Sequence, residues 1–142
     1  MKKIIGFCFI LFAIITLSAC SDTIENSLDS SDKAVYEIAT KQETGEGSIE
    51  LLTPTITPKD NELEFMTEGI DENKVTFIFV ANTKVFEQKI KNNEPYKLNI
   101  TDIEAAHRTD YEPKVQLLQT IDDTETGDIV TFKQVRYKVE ND

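Results

Sequence analysis

The chain contains few of the residues that supply catalytic groups in many small domains or stabilise them. Its 142 residues include no tryptophan, one histidine and two cysteines. Cys8 lies in an apolar N-terminal stretch, so Cys20 is the only cysteine of the polar part and a disulfide framework is excluded. His107 has no second histidine, further thiol or Gly-x-Ser-x-Gly motif to accompany it, so no pair of nucleophile and base can be assembled. We therefore interpret it as a polar loop residue and predict no catalytic residues.

The first nineteen residues have the pattern of a secretory signal peptide. Met1 to Lys3 carries two positive charges, and Ile4 to Thr16 is a nearly continuous apolar run. This run is shorter than the ~20 apolar residues that span a bilayer, but it fits the apolar region of a signal peptide. The lysines favour the cytoplasmic side, so we expect everything after the run to be exported.

The tetrapeptide Leu17-Ser18-Ala19-Cys20 ends this run with two small residues before a cysteine. It resembles the lipobox of bacterial lipoproteins, those of Gram-positive bacteria included. The resemblance implies cleavage between Ala19 and Cys20, a diacylglycerol on the Cys20 thiol and an acyl group on its new amino group. Two or more acyl chains anchor a protein stably, here on the extracytoplasmic face of the cell membrane. The alternative is an ordinary secretory signal that leaves Cys20 as a free thiol.

The processed chain is strongly acidic. The signal holds two of the 15 Lys and Arg residues and none of the 26 Asp and Glu residues, which leaves 13 basic against 26 acidic residues, a net charge of −13. Nucleic acids and anionic headgroups both need basic patches, so neither is an expected partner. The membrane is then contacted through the lipid alone, and the remaining expected partner is a protein.

Residues 20–48 have the composition of a tether. Ser, Thr, Asp, Glu, Gly and Asn dominate, as in segments that bury too little apolar area to fold alone. For the 28 residues after Cys20, the scaling for flexible linkers gives an r.m.s. reach of ~30 Å. An apolar patch from Ala34 to Ile38 interrupts the polar composition, and it could instead add a short edge strand or a helical turn.

Residues 49–142 have the pattern of an all-β domain. Short β-branched and aromatic runs alternate with turn residues. Pro54 and Pro58 exclude a central strand between them and favour an edge strand or a crossing between sheets. The run from Lys74 to Ala81 is the most apolar and is predicted as the central strand. Seven strands are expected: Ile49–Leu52, Glu62–Thr67, Lys74–Ala81, Lys84–Ile90, Tyr96–Ile100, Lys114–Ile121 and Ile129–Val139.

Seven short strands at this spacing resemble an immunoglobulin-like β-sandwich. Tyr111 precedes the sixth predicted strand at about the position of the tyrosine found at a corner of that fold. The tryptophan and the cysteine pair of antibody domains are missing. A small barrel remains an alternative.

Two further patterns bear on binding sites. Asp122 to Gly127 has oxygen ligands at the first, third and fifth positions and glycine at the sixth, as in a calcium loop, but Lys133 occupies the twelfth position, where calcium requires glutamate. A solvated hairpin tip is the preferred interpretation, and no metal or cofactor is expected. The aromatic residues at strand spacing are predicted to be core rather than a ligand platform: Phe77, Phe79, Phe86, Tyr96, Phe132 and Tyr137.

These patterns favour a membrane-anchored lipoprotein whose domain is a non-enzymatic accessory or protein-binding module of the cell envelope. One alternative is a small hydrolase that uses a pair of acidic residues. Another is the precursor of a peptide pheromone, since Phe12 to Ala19 resembles the apolar peptides that some Gram-positive bacteria release from lipoprotein signals. The chain is too short for a two-lobed solute-binding protein.

Overall fold

The computed structural model describes residues 42–142, and Cys20 with its lipobox neighbours Leu17, Ser18 and Ala19 lies outside them. Within this range the protein forms β-strands and one short 3-10 helix, which confirms the all-β prediction. No helix in residues 42–142 is long and apolar enough to cross a membrane. The strands are β1 (Ser48–Leu51), β2 (Thr55–Ile56), β3 (Glu62–Glu68), β4 (Thr76–Val80), β5 (Thr83–Gln88), β6 (Tyr96–Asn99), β7 (Lys114–Thr120), β8 (Ile129–Arg136) and β9 (Lys138–Val139); the 3-10 helix is Glu104–His107.

The strands form two antiparallel sheets and one short parallel pair. The three-stranded sheet has the order β1-β3-β6, and the four-stranded sheet has the order β5-β4-β7-β8. The parallel pair joins β2 to β9, with Thr55 opposite Lys138 and Ile56 opposite Val139. As predicted, the apolar run at Lys74–Ala81 provides an interior strand, since β4 lies between β5 and β7 and all five of its residues are buried.

The larger of two apolar clusters, here called the core cluster, draws side chains from both antiparallel sheets. In β3, the alternation of Leu63 and Phe65 with charged residues buries these two side chains completely. Ile78 of β4 and Leu117 of β7, which are paired neighbours on adjacent strands of the four-stranded sheet, belong to the same cluster. The period of two that separates buried from exposed residues is the reason that these sequences form strands.

The two additional strands come from regions that the sequence assigned to connections or to one longer strand. Between the two prolines, Thr55 and Ile56 pair with β9, a short edge arrangement that is consistent with the proline restriction. The predicted last strand is interrupted at Tyr137, whose backbone N–H donates to the Pro113 carbonyl instead of to a sheet partner. The predicted loop after β6 contains the 3-10 helix.

Residues before β1 make backbone contacts with β8 and β3. Thr44 and Phe132 exchange two backbone hydrogen bonds of 3.0 Å, and the Glu43 carboxylate accepts a hydrogen bond from the Gln134 N–H. Gly47 has a φ of +87°, and a Cβ there would lie 2.7 Å from the Glu68 carbonyl oxygen. Glycine is thus required where the chain passes from the edge of β8 to the β1–β3 pair.

Candidate functional site

Residues 42–142 form a groove beside β3, here called the edge groove. It forms because β1 stops pairing with β3 where the chain turns away at Pro54 to join β9. The last links between them are the Leu52 N–H to the Glu64 carbonyl and the Glu64 N–H to the Thr53 hydroxyl, at 2.7 and 2.9 Å. The groove holds about 480 Å³ and is lined by Thr53, Thr55, Ile56, Asp60, Asn61, Glu62, Leu63, Glu64 and Lys97.

The floor of the edge groove is a strand edge with one neighbour. At Glu62 and Leu63, β3 pairs with Asn99 and Leu98 of β6, and among the described strands none pairs with its other side. The N–H and C=O of alternate residues point to opposite sides of a strand. Because Glu64 directs both of its backbone groups toward β1, Glu62 directs its own toward the groove. The groove therefore presents a backbone donor and acceptor.

The walls of the edge groove are acidic. Asp60, Glu62 and Glu64 contribute three carboxylates, against the single ammonium of Lys97. Lys97 Nζ lies 3.1 Å from Glu62 Oε2, and this contact raises the pKa of Lys97. Asp60 also accepts a hydrogen bond from the Thr57 N–H, which fixes the turn that ends the groove. The net negative charge favours a cationic group over an anionic one.

The shape of the edge groove suits a short extended peptide. A peptide strand can add to an exposed sheet edge through its main chain, while pockets and charges select its side chains. No protein-family model, curated protein or solved structure matches the chain. The binding properties of the groove follow from its own backbone groups and charges.

His107 lies next to the groove but is not equipped as a catalytic base. Its Nδ1 is 2.8 Å from the Ile103 carbonyl oxygen, and its Nε2 is 2.9 Å from the Asp60 carbonyl oxygen. Both ring nitrogens are thus directed at backbone acceptors, and the half-buried imidazole links the 3-10 helix to the turn before β3. The neighbouring Arg108 pairs with Asp110 instead, which lowers the pKa of that carboxyl.

The acidic loop between β7 and β8 uses its carboxylates within the protein. Asp122 accepts hydrogen bonds from the N–H and hydroxyl of Thr124, and these contacts lower its pKa. Asp123 accepts the Val75 N–H at 2.9 Å, and Glu125 pairs with Lys84 at 2.7 Å. In residues 42–142 no three side chains of His, Cys, Asp or Glu converge on a point that could hold a metal ion. The three carboxylates are directed to three different partners rather than to one centre.

The aromatic residues are divided between interior and surface. Phe77, Phe79, Phe132 and Tyr137 are at most 1 % exposed, as predicted for core residues. Phe86 and Tyr96 are half-buried and lie edge-on to each other with ring centroids 5.9 Å apart. Both pack against the core cluster, so this pair extends the core rather than forming a separate platform.

The edge groove was not predicted from the sequence. Its residues come from the crossing between β1 and β2, from β3 and from β6, and they become neighbours only when the chain leaves the three-stranded sheet. The sequence signal that bears on it is the proline pair at positions 54 and 58, since proline ends strand pairing.

Proposed function

We propose that the protein is a lipid-anchored surface module that binds another protein and catalyses no reaction. The observation that carries the proposal is the tetrapeptide Leu17-Ser18-Ala19-Cys20 at the end of an apolar signal. A diacylglycerol on Cys20 holds the processed chain at the extracytoplasmic face of the cell membrane. Anionic headgroups then repel the acidic domain and keep it away from the membrane surface.

We also propose that the domain is an immunoglobulin-like β-sandwich. Its three-stranded and four-stranded sheets share one core cluster, and its first strand region crosses from one sheet to pair in parallel with the last strand. The Tyr111 hydroxyl donates to the Ala105 carbonyl six residues upstream, as a tyrosine corner does. These features favour the sandwich over a closed barrel, which would need continuous pairing around its circumference.

The edge groove is the proposed docking surface for the protein partner. A basic, extended segment of the partner would pair with the free backbone groups of Glu62 and place its positive side chains against Asp60 and Glu64. This recognition needs no chemistry beyond hydrogen bonding and charge.

Two carboxyl groups favour the non-enzymatic part of the proposal. A hydrolase that uses two acidic residues needs one carboxyl with a raised pKa as its general acid. Asp110 and Asp122 are held in the opposite sense, because Arg108 lowers the pKa of Asp110 and hydrogen bonds from Thr124 lower the pKa of Asp122. Turnover of a cell-envelope substrate by the purified protein would contradict this part.

The anchor is tested by replacing the two cysteines separately. In the native chain, mass spectrometry of the membrane fraction is expected to find an N-terminus at Cys20 that carries a diacylglycerol. Cys20→Ala is expected to abolish the lipid and the processing, whereas Cys8→Ala, in the signal itself, should leave both unchanged. A processed protein that starts at Cys20 without lipid would refute the anchor.

The groove is tested by photo-crosslinking in cells from Thr55, which is exposed on the groove wall. With p-benzoylphenylalanine at this position, we expect an adduct with a protein partner that Glu62→Lys abolishes. The control is Glu50→Lys, which makes the same charge change on the exposed face of β1 outside the groove. An adduct that survives Glu62→Lys, or that both variants abolish equally, would exclude the groove as the docking surface.

A further inference from the structure

The only histidine of the chain, His107, has a carbonyl oxygen beside each nitrogen of its ring. Its Nδ1 lies 2.8 Å from the Ile103 oxygen at the start of the 3-10 helix, and its Nε2 lies 2.9 Å from the Asp60 oxygen in the turn before β3. Both distances are those of a hydrogen bond. The ring therefore joins two segments that are 47 residues apart in the chain.

These two contacts determine how many protons the ring must carry. A carbonyl oxygen can only accept a hydrogen bond, so each ring nitrogen needs a proton for its contact to be a hydrogen bond. The neutral imidazole has one N–H, and its other nitrogen would direct a lone pair at an oxygen. The imidazolium has two N–H groups and satisfies both carbonyls. The geometry around His107 is therefore that of the protonated ring.

We propose that His107 is a proton-controlled clasp: it is closed when the imidazolium donates to both the Ile103 and Asp60 carbonyls, and it is open when the neutral ring releases Asp60. Histidine ordinarily changes its charge between about pH 5 and pH 8. The clasp is thus closed at mildly acidic pH and open at mildly alkaline pH. It is a property of the fold and does not depend on the lipid anchor or on binding at the edge groove.

The contact with Asp60 is the one that the neutral ring loses. The Ile103 carbonyl is four residues from His107, and it also accepts the Ala106 N–H at 3.0 Å. Its contact with Nδ1 is partly buried, whereas the contact of Nε2 with Asp60 is exposed. Water can replace a donor at an exposed carbonyl, but a buried acceptor that loses its donor is costly. Release at Asp60 therefore costs less than release at Ile103.

The charged groups around the ring leave this control to the two carbonyls. Five exposed charged residues lie on the segments that the ring joins: Lys59, Asp60, Asp102, Glu104 and Arg108. Lys59 pairs with Asp142 and Arg108 pairs with Asp110, so both cations have carboxylate partners of their own. Exposed charges act weakly because water and salt screen them. The helix also accepts hydrogen bonds from two tyrosine hydroxyls, which are uncharged between pH 5 and pH 8.

The clasp acts on the turn that ends the edge groove. In this turn the Asp60 N–H donates to the Thr57 carbonyl at 3.1 Å, and the Thr57 N–H donates to the Asp60 carboxylate at 2.7 Å. His107 holds the Asp60 carbonyl, so Asp60 is fixed at its N–H, its side chain and its C=O. Of these three bonds, opening the clasp removes the one that reaches outside the turn. The Asp60 wall of the groove is therefore held more firmly at acidic pH.

The first test observes the ring and the turn in the full chain by NMR. Because His107 is the only histidine, its ring nitrogens give unambiguous signals in ¹⁵N-labelled protein. At pH 5.5 both nitrogens should carry protons, and at pH 8 one of them should carry none. Hydrogen exchange of the Asp60 N–H, corrected for the intrinsic effect of pH, should be faster at pH 8 by roughly threefold or more.

The control for this exchange is the Gly127 N–H, which makes a similar turn bond to the Thr124 carbonyl at 3.2 Å in the loop between β7 and β8. Its corrected exchange should be equal at both pH values. The proposal would be overturned by a ring whose number of protons does not change between pH 5.5 and pH 8. It would also be overturned if the corrected exchange of Asp60 is the same at both pH values, or changes by the same factor as that of Gly127.

The second test compares thermal unfolding of the native protein and His107→Gln at both pH values. The glutamine amide carries the same protons at pH 5.5 and pH 8. The protonated ring makes both bonds only in the folded state, so its stabilisation is present at acidic pH and is lost as the pH rises. The Tm of the native protein relative to that of the variant should therefore be higher at pH 5.5 than at pH 8, by roughly 4 °C.

Glu104→Gln is the matched control, because it removes an exposed charge from the same helix and leaves the ring in place. Its Tm should keep the pH dependence of the native protein. A Tm difference between the native protein and His107→Gln that is equal at both pH values would overturn the clasp, as would a pH dependence that Glu104→Gln removes equally.

Discussion

Two tyrosines donate hydrogen bonds to neighbouring carbonyls of the 3-10 helix, and they differ mainly in burial. The Tyr137 hydroxyl donates to the Ala106 carbonyl at 2.7 Å, and the Tyr111 hydroxyl donates to the Ala105 carbonyl. Tyr137 is 1 % exposed, whereas Tyr111 is 37 % exposed. Replacing each by phenylalanine removes one hydroxyl from a similar contact in a different solvent environment.

We expect Tyr137→Phe to be the more destabilising change. It removes a buried donor and leaves the Ala106 carbonyl without that partner, which costs about 1–3 kcal/mol. Water can replace the Tyr111 hydroxyl at the half-exposed site, so Tyr111→Phe should cost less than about 1 kcal/mol. For a domain of about 100 residues, each 1 kcal/mol lowers the Tm by roughly 4–8 °C.

The difference should also depend on pH. Burial raises the pKa of Tyr137 well above its usual value of 10.0, so the folded state favours the protonated hydroxyl. Its contribution to stability is complete below pH 10 and is lost as the pH rises above that value. In Tyr137→Phe this source of alkaline destabilisation is absent, so its urea midpoint should fall less than that of the native protein between pH 9 and pH 11.

The assay is urea unfolding of the native protein and both variants, with the midpoint compared at constant m-value. A cost for Tyr111→Phe equal to or larger than that of Tyr137→Phe would refute the reasoning from burial. An unchanged alkaline dependence in Tyr137→Phe would refute the assignment of that dependence to this hydroxyl.

Three other substitutions test separate contacts. Gly47→Ala should destabilise the protein by about 1–3 kcal/mol in urea unfolding, because it combines a positive φ with a Cβ placed 2.7 Å from a carbonyl oxygen. Gly69→Ala is the control and should cost less, because its Cβ would lie 3.3 Å from the nearest atom, the Gly47 Cα. Asp122→Ala should lower the Tm at pH 7 and less so at pH 3. Hydrogen bonds from Thr124 lower the pKa of this carboxyl, so its contribution to stability is lost as the pH falls through that pKa. An equal change in Tm at both pH values would contradict this prediction. His107→Ala should cost about 1–2 kcal/mol, because it removes the link between two backbone segments. A loss below about 0.3 kcal/mol, which is the smallest difference that urea titration resolves, would contradict this prediction.

β3 and β6 were predictable because one face of each is buried. Leu63 and Phe65 alternate with glutamates, and Leu98 and Ile100 alternate with polar residues, so the period of two marks both the strand and its buried face. The uninterrupted apolar run of β4 predicted an interior strand, because an interior strand with both faces covered needs no polar side.

Other parts of the fold and the edge groove depend on long-range contacts that sequence patterns do not reveal. β2 has two residues, and its pairing with β9 joins positions more than eighty residues apart. The 3-10 helix Glu104–His107 has one buried side chain, Ala106, and is held by the distant Tyr137 and by the contact of its own His107 with the Asp60 carbonyl. The edge groove is likewise formed where three segments diverge, and none of them carries a sequence pattern that predicts it.

The edges of β8, β5 and β3 differ in how readily they would accept a strand partner. The edge of β8 is occupied at Phe132 by Thr44, and β9 beyond it is paired with β2. The β5 edge carries Lys84 and has a register shift in its pairing with β4, two features that discourage edge-to-edge addition. The segment of β3 at Glu62 has neither a strand nor a lysine of its own on its free side, and the carboxylates around it would repel an acidic strand while admitting a basic one. In the proposed docking, selectivity for a cationic segment follows from the same charges that would repel a second copy of this acidic chain.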